Sequence, residues 1–202
     1  MVRAYIGLGA NVGDARGALE RAVGSLASLP GARLAGVSRL YRTKPVGVLD
    51  QPDFLNAVAA IDLPSPGHAS PDAIRGALDL LVELKRLERE SGRRHRRRWG
   101  PRELDLDLLL YGDHRIVAER PPDAMSPSGP LEAGAAKRLL EVPHPSMADR
   151  LFVLAPLADL DPDLVPPGWA EPVGLAAERL RAADQTAVAP VGEWSALQQS
   201  WG

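Results

Sequence analysis

Hydrophobic and polar positions recur with two different periods along the first part of the chain, and these periods predict strands and helices in turn. The apolar run Val2–Leu8 predicts a buried strand. Apolar residues then recur at helical spacing from Ala18 to Leu29, behind Asp14, whose side chain can cap a helix N-terminus. The pair Pro30-Gly31 ends this pattern, so the sequence predicts one strand followed by one amphipathic helix.

The next segments repeat this arrangement with an extra strand. Leu34–Tyr41 and Phe54–Leu63 predict two strands, and Asp72–Glu90 predicts a second amphipathic helix that Gly92 ends. Leu104–Tyr111 predicts a further strand. The order βαββαβ favours an α+β fold of the ferredoxin-like type, in which an antiparallel sheet carries both helices on one face.

The rest of the chain predicts additions to this body. After a turn at Gly112-Asp113, Ile116 and Val117 predict a short return strand that completes a β-hairpin. Residues 121–141 are rich in Pro, Gly, Ala and Ser and predict an inserted, flexible segment with room for one short helix, Leu131–Leu140. A C-terminal helical extension follows. Residues 1–168 then form one domain, and residues 169–202 form a tail that its tryptophans, Trp169, Trp194 and Trp201, dock on the body.

Composition narrows the class of protein. The 202 residues suit one domain, 45% of them are hydrophobic, and no apolar run approaches the length of a membrane helix. The sequence contains no cysteine, which suits a reducing compartment, and no signal-peptide pattern opens it. We therefore expect a cytoplasmic protein whose metal ligands, if any, are oxygen or imidazole.

Two aspartates two residues apart, Asp105 and Asp107, interrupt a leucine-rich strand. Successive strand side chains point to opposite faces, so the carboxylates share one face while Leu104, Leu106, Leu108 and Leu110 form a core-facing row. Aspartate is unfavourable in a strand, and the plainer interpretation is a pair of solvent-facing side chains. The functional interpretation is a magnesium site, because Mg²⁺ uses one or two protein carboxylates together with phosphate oxygens.

The segment before these aspartates is strongly cationic. Arginines crowd the stretch from Arg93 to Arg98, with His95 among them, and Arg102 follows. The net charge of the whole chain is only −2, so bulk charge predicts no nucleic-acid partner. A solvated loop would explain such a run, but its position next to two carboxylates favours a polyphosphate site.

The glycine-rich run Gly7 to Gly13 follows the first strand. Val12 occupies the third glycine position of a dinucleotide fingerprint, so tight turn geometry is the better interpretation of these glycines. No P-loop motif is present in the sequence. Any ATP must therefore bind through another architecture.

Several side chains elsewhere have both a structural and a functional interpretation. His144 lies between two prolines, and a lone histidine is more often structural or solvated than catalytic. Phe54 and Phe152 are the only phenylalanines and would by default pack in the core. A flat heterocycle held between the two rings is the alternative, and Asn56 on the Phe54 face could bind its polar edge.

With these residues identified, the chain resembles the 6-hydroxymethyl-7,8-dihydropterin pyrophosphokinases of folate biosynthesis. The family signature, a basic residue followed by Gly-Pro-Arg-x-x-Asp-Leu-Asp and two aliphatic residues, is met from Arg98 to Leu109. Further family landmarks occur in order: Gly7 to Asn11, Tyr41 to Thr43, Gln51 to Ala57, Pro143 to Pro145, Arg150 and Phe152.

The resemblance implies the transfer of pyrophosphate from ATP to the pterin hydroxymethyl group, with release of AMP. It also implies that Asp105 and Asp107 hold two Mg²⁺ ions and that Arg93, Arg98 and Arg102 act on the phosphates as catalytic residues. The implied ATP contacts are Glu88, Trp99, Leu108, Arg120, His144 and Arg150. The implied pterin contacts are Thr43, Pro45, Val46, Phe54, Asn56 and Phe152, with Phe54 standing where a tyrosine is common.

Two other functions stay open at this point. A ferredoxin-like sheet with an arginine-rich loop could bind RNA or single-stranded DNA, although Asp105 and Asp107 would repel phosphate in the absence of metal. A two-metal phosphohydrolase is the second alternative, weakened by the lack of its usual further carboxylates. The preferred interpretation needs only ATP and the pterin as partners, with no nucleic acid, membrane or obligate protein partner.

Overall fold

The computed structural model describes residues 1–45, 47, 49–65, 70–92, 100–120, 138–183 and 188–202. Within these residues the chain forms a mixed α+β structure around an antiparallel sheet. The strands are β1 (Val2–Ala10), β2 (Arg33–Val37), β3 (Leu40–Thr43), β4 (Phe54–Leu63), β5 (Asp105–Tyr111), β6 (Ile116–Glu119), β7 (Arg138–Val142), β8 (Ala189–Gly192), β9 (Trp194–Ser195) and β10 (Ser200–Trp201). The helices are α1 (Ala15–Ala27), α2 (Ser70–Glu90), α3 (Leu151–Leu160) and α4 (Val173–Ala183).

The main sheet has the strand order β5-β1-β4-β3-β8, and β2 also pairs with β4. All these pairings are antiparallel. Because β1 pairs with β5 on one side and with β4 on the other, the ends of three strands meet at one corner of the sheet. Gly9 lies there opposite Asp105 on one neighbouring strand and Asn56 on the other.

Helices cover both faces of the sheet. On one face Ile6, Leu8 and Leu106 belong to a core that includes residues of α1 and α2. On the other face Tyr5 and Val58 belong to a core that includes residues of α3 and α4. The two helices predicted to share a face do so. The helical extension predicted before residue 168 is α3, which covers the opposite face together with α4, a helix of the tail that the sequence pattern did not predict.

Two predicted helix signals are confirmed, the N-cap at Asp14 and the stop at Gly92, whereas α1 ends earlier than predicted, at Ala27, and α2 begins two residues earlier, at Ser70. The Asp14 side chain caps α1 by accepting from the Gly17 backbone N–H at 3.0 Å. The second helix, α2, ends just before Gly92, whose φ of +82° is the left-handed conformation that favours glycine.

The strand predicted at Leu34–Tyr41 is instead divided into β2 and β3 at Ser38. The Ser38 side-chain hydroxyl accepts the Val58 backbone N–H at 2.9 Å, so a side chain replaces a backbone acceptor in the ladder. A serine hydroxyl competes with backbone groups in this way, and the regular pairing is interrupted there.

The return strand and the insertion also differ from their predictions. Strand β6 pairs with β7 rather than with β5, so the hairpin predicted across Gly112-Asp113 does not form within the described residues. Residues 138–141 are part of β7, where the sequence pattern places the end of the insertion and a helix to Leu140. Residues 121–137 lie outside the described part of the chain.

The leucine row of β5 is interrupted by a β-bulge. Leu104, Leu106 and Leu108 pack in the core that contains α1 and α2, but Leu110 packs in the other core. The register against β1 shifts between Tyr5 and Ile6, and this shift moves Leu110 to the opposite face. The two aspartates precede the bulge, so their common face is unaffected.

The C-terminal tail packs against the body through α4, described above, and also through a strand and a tryptophan. Strand β8 pairs with β3 and becomes the edge of the main sheet. Trp201 is buried, and its indole N–H donates to the Ser38 carbonyl at 2.9 Å. Within the described residues, no helix combines the length and the apolarity needed to cross a membrane.

Asp62 on β4 binds side chains of β1 and β2 at the end of the sheet remote from Gly9, so it links three strands. Its carboxylate accepts from the Arg3 guanidinium at 2.8 and 3.1 Å and from the Arg33 guanidinium at 2.7 Å. These two hydrogen-bonded cations lower the pKa of Asp62 to about 2.

Asp62→Asn is therefore expected to lower the free energy of unfolding at neutral pH by about 1–2 kcal/mol. A carboxylate whose pKa is lower in the folded state stabilises the fold above its unfolded pKa, and this stabilisation is lost as the pH falls from about 4 towards 2. Denaturant unfolding at neutral pH and near pH 2 tests this, with Asp113→Asn at an exposed turn as the control. An equal deficit at both pH values would contradict the assignment.

Candidate active site

A cleft opens on the α3 side of the sheet, where β1, β4 and β5 meet. Its floor is formed by strand residues, and one wall is formed by the start of α3. The residues that line it include Gly7, Gly9, Thr43, Lys44, Phe54, Asn56, Gly100, Arg102, Asp105, Asp107, Leu109, Arg150 and Phe152. Most of these residues lie in segments that the sequence patterns or the family resemblance single out, and the cleft brings them together.

Asp105 and Asp107 lie on the cleft face of β5, as the strand periodicity predicts, while Leu106 between them is buried in the opposite core. Both carboxylates are half-buried. Their direct partners across the sheet are Gly9 and Gly7 on β1. The carboxylates therefore face a part of the sheet surface that carries no side chains.

The glycines have a different role from the one predicted. Gly7 and Gly9 lie within β1, so turn geometry does not explain them. A Cβ atom at position 9 would lie 3.2 Å from the Asn56 Oδ1 atom, and one at position 7 would contact the Leu109 side chain at 3.4 Å. Glycine keeps this floor low enough for a ligand to approach the backbone.

The donor set fits magnesium held together with a polyphosphate. Among the described residues, no cluster of three or more His, Cys, Asp or Glu side chains could hold a metal ion by itself. Asp105 and Asp107 supply hard carboxylate oxygens beside an open glycine floor. Mg²⁺ retains several water or phosphate ligands and needs only one or two carboxylates, so two aspartates at an open site are sufficient.

Phe54 and Phe152 face the same cleft from different elements, β4 and α3. Both rings are half-buried, so neither is a fully packed core residue. The Arg150 guanidinium lies 5.8 Å from the centroid of the Phe152 ring. Stacking surface and positive charge thus occur side by side on the α3 wall.

Asn56 on β4 and Thr43 on β3 form a buried polar pair in the floor of the cleft. The Asn56 side-chain amide donates to the Thr43 hydroxyl at 2.7 Å, and both side chains are almost fully buried. This bond fixes the amide so that the Asn56 Oδ1 atom faces the glycine floor, as the distance to position 9 shows. A fixed acceptor at the base of an apolar slot suits the N–H groups of a flat heterocycle.

The wall that carries Phe152 is held in place by polar contacts at the far end of α3. Asp159 accepts from the Tyr41 hydroxyl at 3.0 Å and from the Arg39 Nε atom at 3.1 Å. Burial, with the neighbouring Asp159 charge, raises the pKa of Tyr41 to about 12, so its hydroxyl stays protonated as a donor. The helix is thereby anchored to β3.

Arg102 enters the cleft from the segment before β5. Its backbone is fixed on both sides of the Cα atom. The Arg102 N–H donates to the Asn11 Oδ1 atom at 2.8 Å, and its carbonyl accepts from the Asn11 backbone N–H at 2.9 Å. The side chain thus projects from a rigid point of attachment.

His144 does not line the cleft; it is half-buried next to Leu109, whose carbonyl accepts the His144 backbone N–H at 2.9 Å. Burial lowers its pKa, although the nearby Asp107 carboxylate acts in the opposite direction. Its Nδ1 atom accepts from the Ser146 backbone N–H at 3.2 Å. A neutral imidazole that accepts at Nδ1 carries its proton on Nε2, so His144 presents one ring N–H donor.

Several other predicted contacts do not line the cleft. Glu88 is 2% exposed, and its Oε1 atom accepts the Leu106 backbone N–H and the Lys85 ammonium, each at 2.8 Å. Leu108 is buried in the core on the opposite face, Pro45 is half-buried, and Arg120 is exposed. The predicted roles of Val46, Arg93, Arg98 and Trp99 concern residues outside the described part of the chain.

The sequence patterns missed the roles of two site residues. Lys44 lines the cleft and adds a cation to Arg102 and Arg150, but a single lysine after a strand carries no distinctive signal. Asn11 falls in a family landmark without an assigned role. It is almost fully buried and bonds to two separate segments, which only the tertiary structure brings together.

Comparison with known families gives a match over most of the chain. Residues 5–162 match the family model described as 7,8-dihydro-6-hydroxymethylpterin-pyrophosphokinase. A protein of Pseudomonas aeruginosa named 2-amino-4-hydroxy-6-hydroxymethyldihydropteridine pyrophosphokinase is 41% identical over 176 residues, covering 87% of this chain and 91% of that protein. A protein of Haemophilus influenzae with the same name is 40% identical, covering 83% of this chain and 86% of that protein.

Solved structures similar to this one include longer chains. A crystal structure of HPPK-DHPS in complex with substrates has a TM-score of 0.64 at 11% identity and covers 90% of this chain and 45% of that chain. Plasmodium falciparum HPPK-DHPS with SDX-DHP has a TM-score of 0.58 at 13% identity, covering 89% of this chain and 43% of that chain. The present chain thus spans less than half the length of each of these proteins, and the likeness concerns the fold alone.

Proposed function

The chain belongs to the 7,8-dihydro-6-hydroxymethylpterin-pyrophosphokinase family, and we propose that the cleft described above is where its reaction takes place. The reaction transfers pyrophosphate from ATP to 6-hydroxymethyl-7,8-dihydropterin and yields the pterin diphosphate and AMP, a step of folate biosynthesis. One observation carries the assignment of the site: two carboxylates, three cations and two phenylalanine rings face a single cleft.

We assign the pterin to the slot between Phe54 and Phe152. Two rings from different elements can hold a flat heterocycle by offset stacking. The pair of Asn56 and Thr43 lies at the base of this slot, and Asn56 Oδ1 accepts from ring or amino N–H groups of the pterin. Pro45 and Val46 complete the proposed pterin contacts through the backbone.

We assign the ATP phosphates to the part of the cleft between β5, Arg102 and Arg150. Asp105 and Asp107 would hold two Mg²⁺ ions, which when bound neutralise phosphate charge and fix the geometry of the triphosphate. Arg102, Arg150 and Lys44 supply positive charge from the other sides. Further contacts are proposed from the family resemblance alone: Arg93, Arg98, Trp99, Glu88, Leu108 and Arg120.

The Nε2 proton of His144 gives this residue one role that its hydrogen bonding supports. Because Nδ1 accepts from the Ser146 backbone, the ring can donate from Nε2 to a phosphate oxygen while remaining neutral. We propose that it contacts the phosphate chain of ATP in this way.

The chemical step needs little beyond positioning and charge. The pterin hydroxymethyl oxygen forms a bond to the β-phosphorus and releases its proton to water. The bond from that phosphorus to the oxygen bridging to the α-phosphorus breaks, and AMP leaves with that oxygen and its electron pair. Phosphoryl transfer of this kind passes through a loose transition state and requires no strong base. The arginine donors stabilise charge that develops on the phosphate oxygens.

We propose that the core of the fold is ferredoxin-like. Strands β5, β1 and β4 together with the divided strand β2/β3 give the antiparallel order expected for a βαββαβ unit, and α1 and α2 share one face, which supports this classification. Residues 1–168 are the proposed pyrophosphokinase domain, with residues 169–202 as its C-terminal tail.

We also propose that the enzyme is cytoplasmic, since a sequence without cysteine suits a reducing compartment. We propose no obligate protein partner. The alternative of a nucleic-acid-binding module is not supported, since the curated relatives are named as pyrophosphokinases.

The test of the reaction is a product assay. The purified chain is incubated with MgATP and 6-hydroxymethyl-7,8-dihydropterin, and the nucleotide products are separated. We expect AMP and the pterin diphosphate in equal amounts. Omission of the pterin should abolish the formation of AMP. ADP or inorganic phosphate as the principal product would contradict the proposed reaction.

Phe54→Ala is expected to weaken pterin binding about tenfold, because it removes one of the two stacking surfaces. Phe54→Tyr should retain the parent affinity within about twofold, since the ring is preserved. Titration of the pterin by calorimetry in the presence of an unreactive ATP analogue measures both. If the alanine variant keeps the parent affinity, the pterin does not occupy this slot.

A further inference from the structure

Asn11 is a buried polar side chain that connects the two halves of the cleft. It is 5% exposed and follows the last residue of β1. Its Nδ2 atom donates to the Pro52 carbonyl at 2.9 Å and to the Gln51 Oε1 atom at 3.1 Å. Its Oδ1 atom accepts the Arg102 backbone N–H at 2.8 Å.

These bonds reach two segments that are far apart in the sequence. Gln51 and Pro52 lead directly into β4, where Phe54 and Asn56 line the pterin side of the cleft. Arg102 lies just before β5 and the two aspartates, on the phosphate side. One buried amide therefore holds both segments at once, by its donor end and its acceptor end respectively.

The backbone next to Asn11 strengthens the attachment on the phosphate side. The Arg102 carbonyl accepts the backbone N–H groups of Asn11 and Val12 at 2.9 and 3.3 Å. Arg102 is thus fixed to the end of β1 through both its N–H and its carbonyl. Gln51 and Pro52, which precede the pterin side of the cleft, are fixed to the same place through the Asn11 side-chain amide. We therefore expect a displacement of Gln51 or Pro52 to reach Arg102 through this amide.

We propose that Asn11 is a positioning residue that couples pterin binding to the placement of Arg102, an inference that rests on the proposed function. When the pterin orders the segment before β4, the Asn11 amide is held in the orientation that fixes the Arg102 backbone. The phosphates of ATP, bound by Arg102, favour the same orientation. Since such coupling is reciprocal, each substrate should increase the affinity of the other.

Asn11→Asp removes the donor group of this side chain and keeps an acceptor oxygen. The aspartate retains an oxygen that can accept from the Arg102 N–H, but it loses both N–H groups that donate to Pro52 and Gln51. It also places a negative oxygen against the Pro52 carbonyl. We therefore expect each substrate to bind alone, with the link between the two sites broken.

The experiment measures the pterin affinity with and without a bound nucleotide. The ligands are 6-hydroxymethyl-7,8-dihydropterin and the magnesium complex of an ATP analogue with a methylene group between the α- and β-phosphorus atoms, which cannot react. For the parent chain we expect the analogue to tighten pterin binding at least about fivefold. For Asn11→Asp we expect the ratio of the two affinities to fall to within about twofold of unity.

Two further variants keep the test decisive. Asp62→Asn removes ion pairs at the other end of β4 and should keep the parent ratio, because a loss of stability alone does not break the link. Gln51→Met removes one acceptor of the Asn11 amide and should lower the ratio at least about twofold. If Asn11→Asp does not fold, the affinity ratio of Gln51→Met tests the coupling by itself.

A folded Asn11→Asp or Gln51→Met variant with the parent ratio would overturn the inference. So would a parent chain that binds both ligands with no mutual effect, and that result would leave the proposed function intact. A parent chain that binds neither ligand would overturn the proposed function, and the inference with it.

Discussion

Asp107→Asn should lower the rate of AMP formation at saturating MgATP and pterin by about a thousandfold, which corresponds to about 4 kcal/mol of transition-state stabilisation. The carboxylate lies on the cleft face of β5 opposite Gly7, and among the described residues one other carboxylate, Asp105, lines the cleft. Asparagine preserves the shape of the side chain but removes the negative charge that Mg²⁺ requires. Because the site has so few anionic protein ligands, the loss of one weakens metal binding severely.

The folded state should tolerate this change. Asp107 is half-buried and shares the cleft face of β5 with the carboxylate of Asp105, so a neutral isostere removes like-charge repulsion and is expected to leave the melting temperature unchanged or slightly raised. The matched control is Asp113→Asn, whose side chain is 99% exposed on the turn after β5. This control should keep the parent rate.

The magnesium dependence gives a second measurement on the same variants. If the carboxylate acts through the metal, the rate of Asp107→Asn should rise with Mg²⁺ concentrations that already saturate the parent chain. A variant that keeps roughly a tenth or more of the parent rate, with the parent magnesium dependence, would contradict the assignment of Asp107 to the metal.

The residues of this site could be predicted from the sequence where the signal is local. Alternation along a strand places Asp105 and Asp107 on one face whatever the surrounding fold, and the same rule places Phe54 with Asn56. The structure agrees in both cases. Such predictions hold because the backbone geometry of one strand is sufficient for them.

The features that were predicted wrongly depend on contacts between segments. Leu110 faces the second core because of a bulge against β1, and β7 exists because residues 138–142 pair with β6. Neither the bulge nor the pairing has a signal within its own segment. Gly7 and Gly9 show the same limit, since only the side chains on the neighbouring strands explain why glycine is needed there.

Arg102→Ala should lower turnover about a hundredfold and leave the affinity for the pterin within about threefold of the parent value. Arg102 lines the cleft together with Asp105 and Asp107, to which we assign the phosphates with their metal, and the two phenylalanines proposed to hold the pterin lie on β4 and α3. An interaction formed mainly with charge that develops during transfer affects the rate more than the binding of the uncharged substrate.

The backbone at Arg102 makes this variant interpretable. Its N–H and carbonyl both bond to Asn11, and alanine keeps these bonds, so the substitution removes the side chain without releasing the segment. Arg75→Ala on the exposed surface of α2 is the matched control and should retain the parent turnover.

Arg102→Lys distinguishes charge from geometry. Lysine keeps the positive charge but lacks the planar pair of N–H donors that binds two phosphate oxygens at once, so it should recover only part of the lost turnover. Full recovery would show that a point charge is sufficient. An equal loss in turnover and in pterin affinity for Arg102→Ala would contradict its assignment to the transition state, because the guanidinium would then support the cleft as a whole instead of the phosphate being transferred.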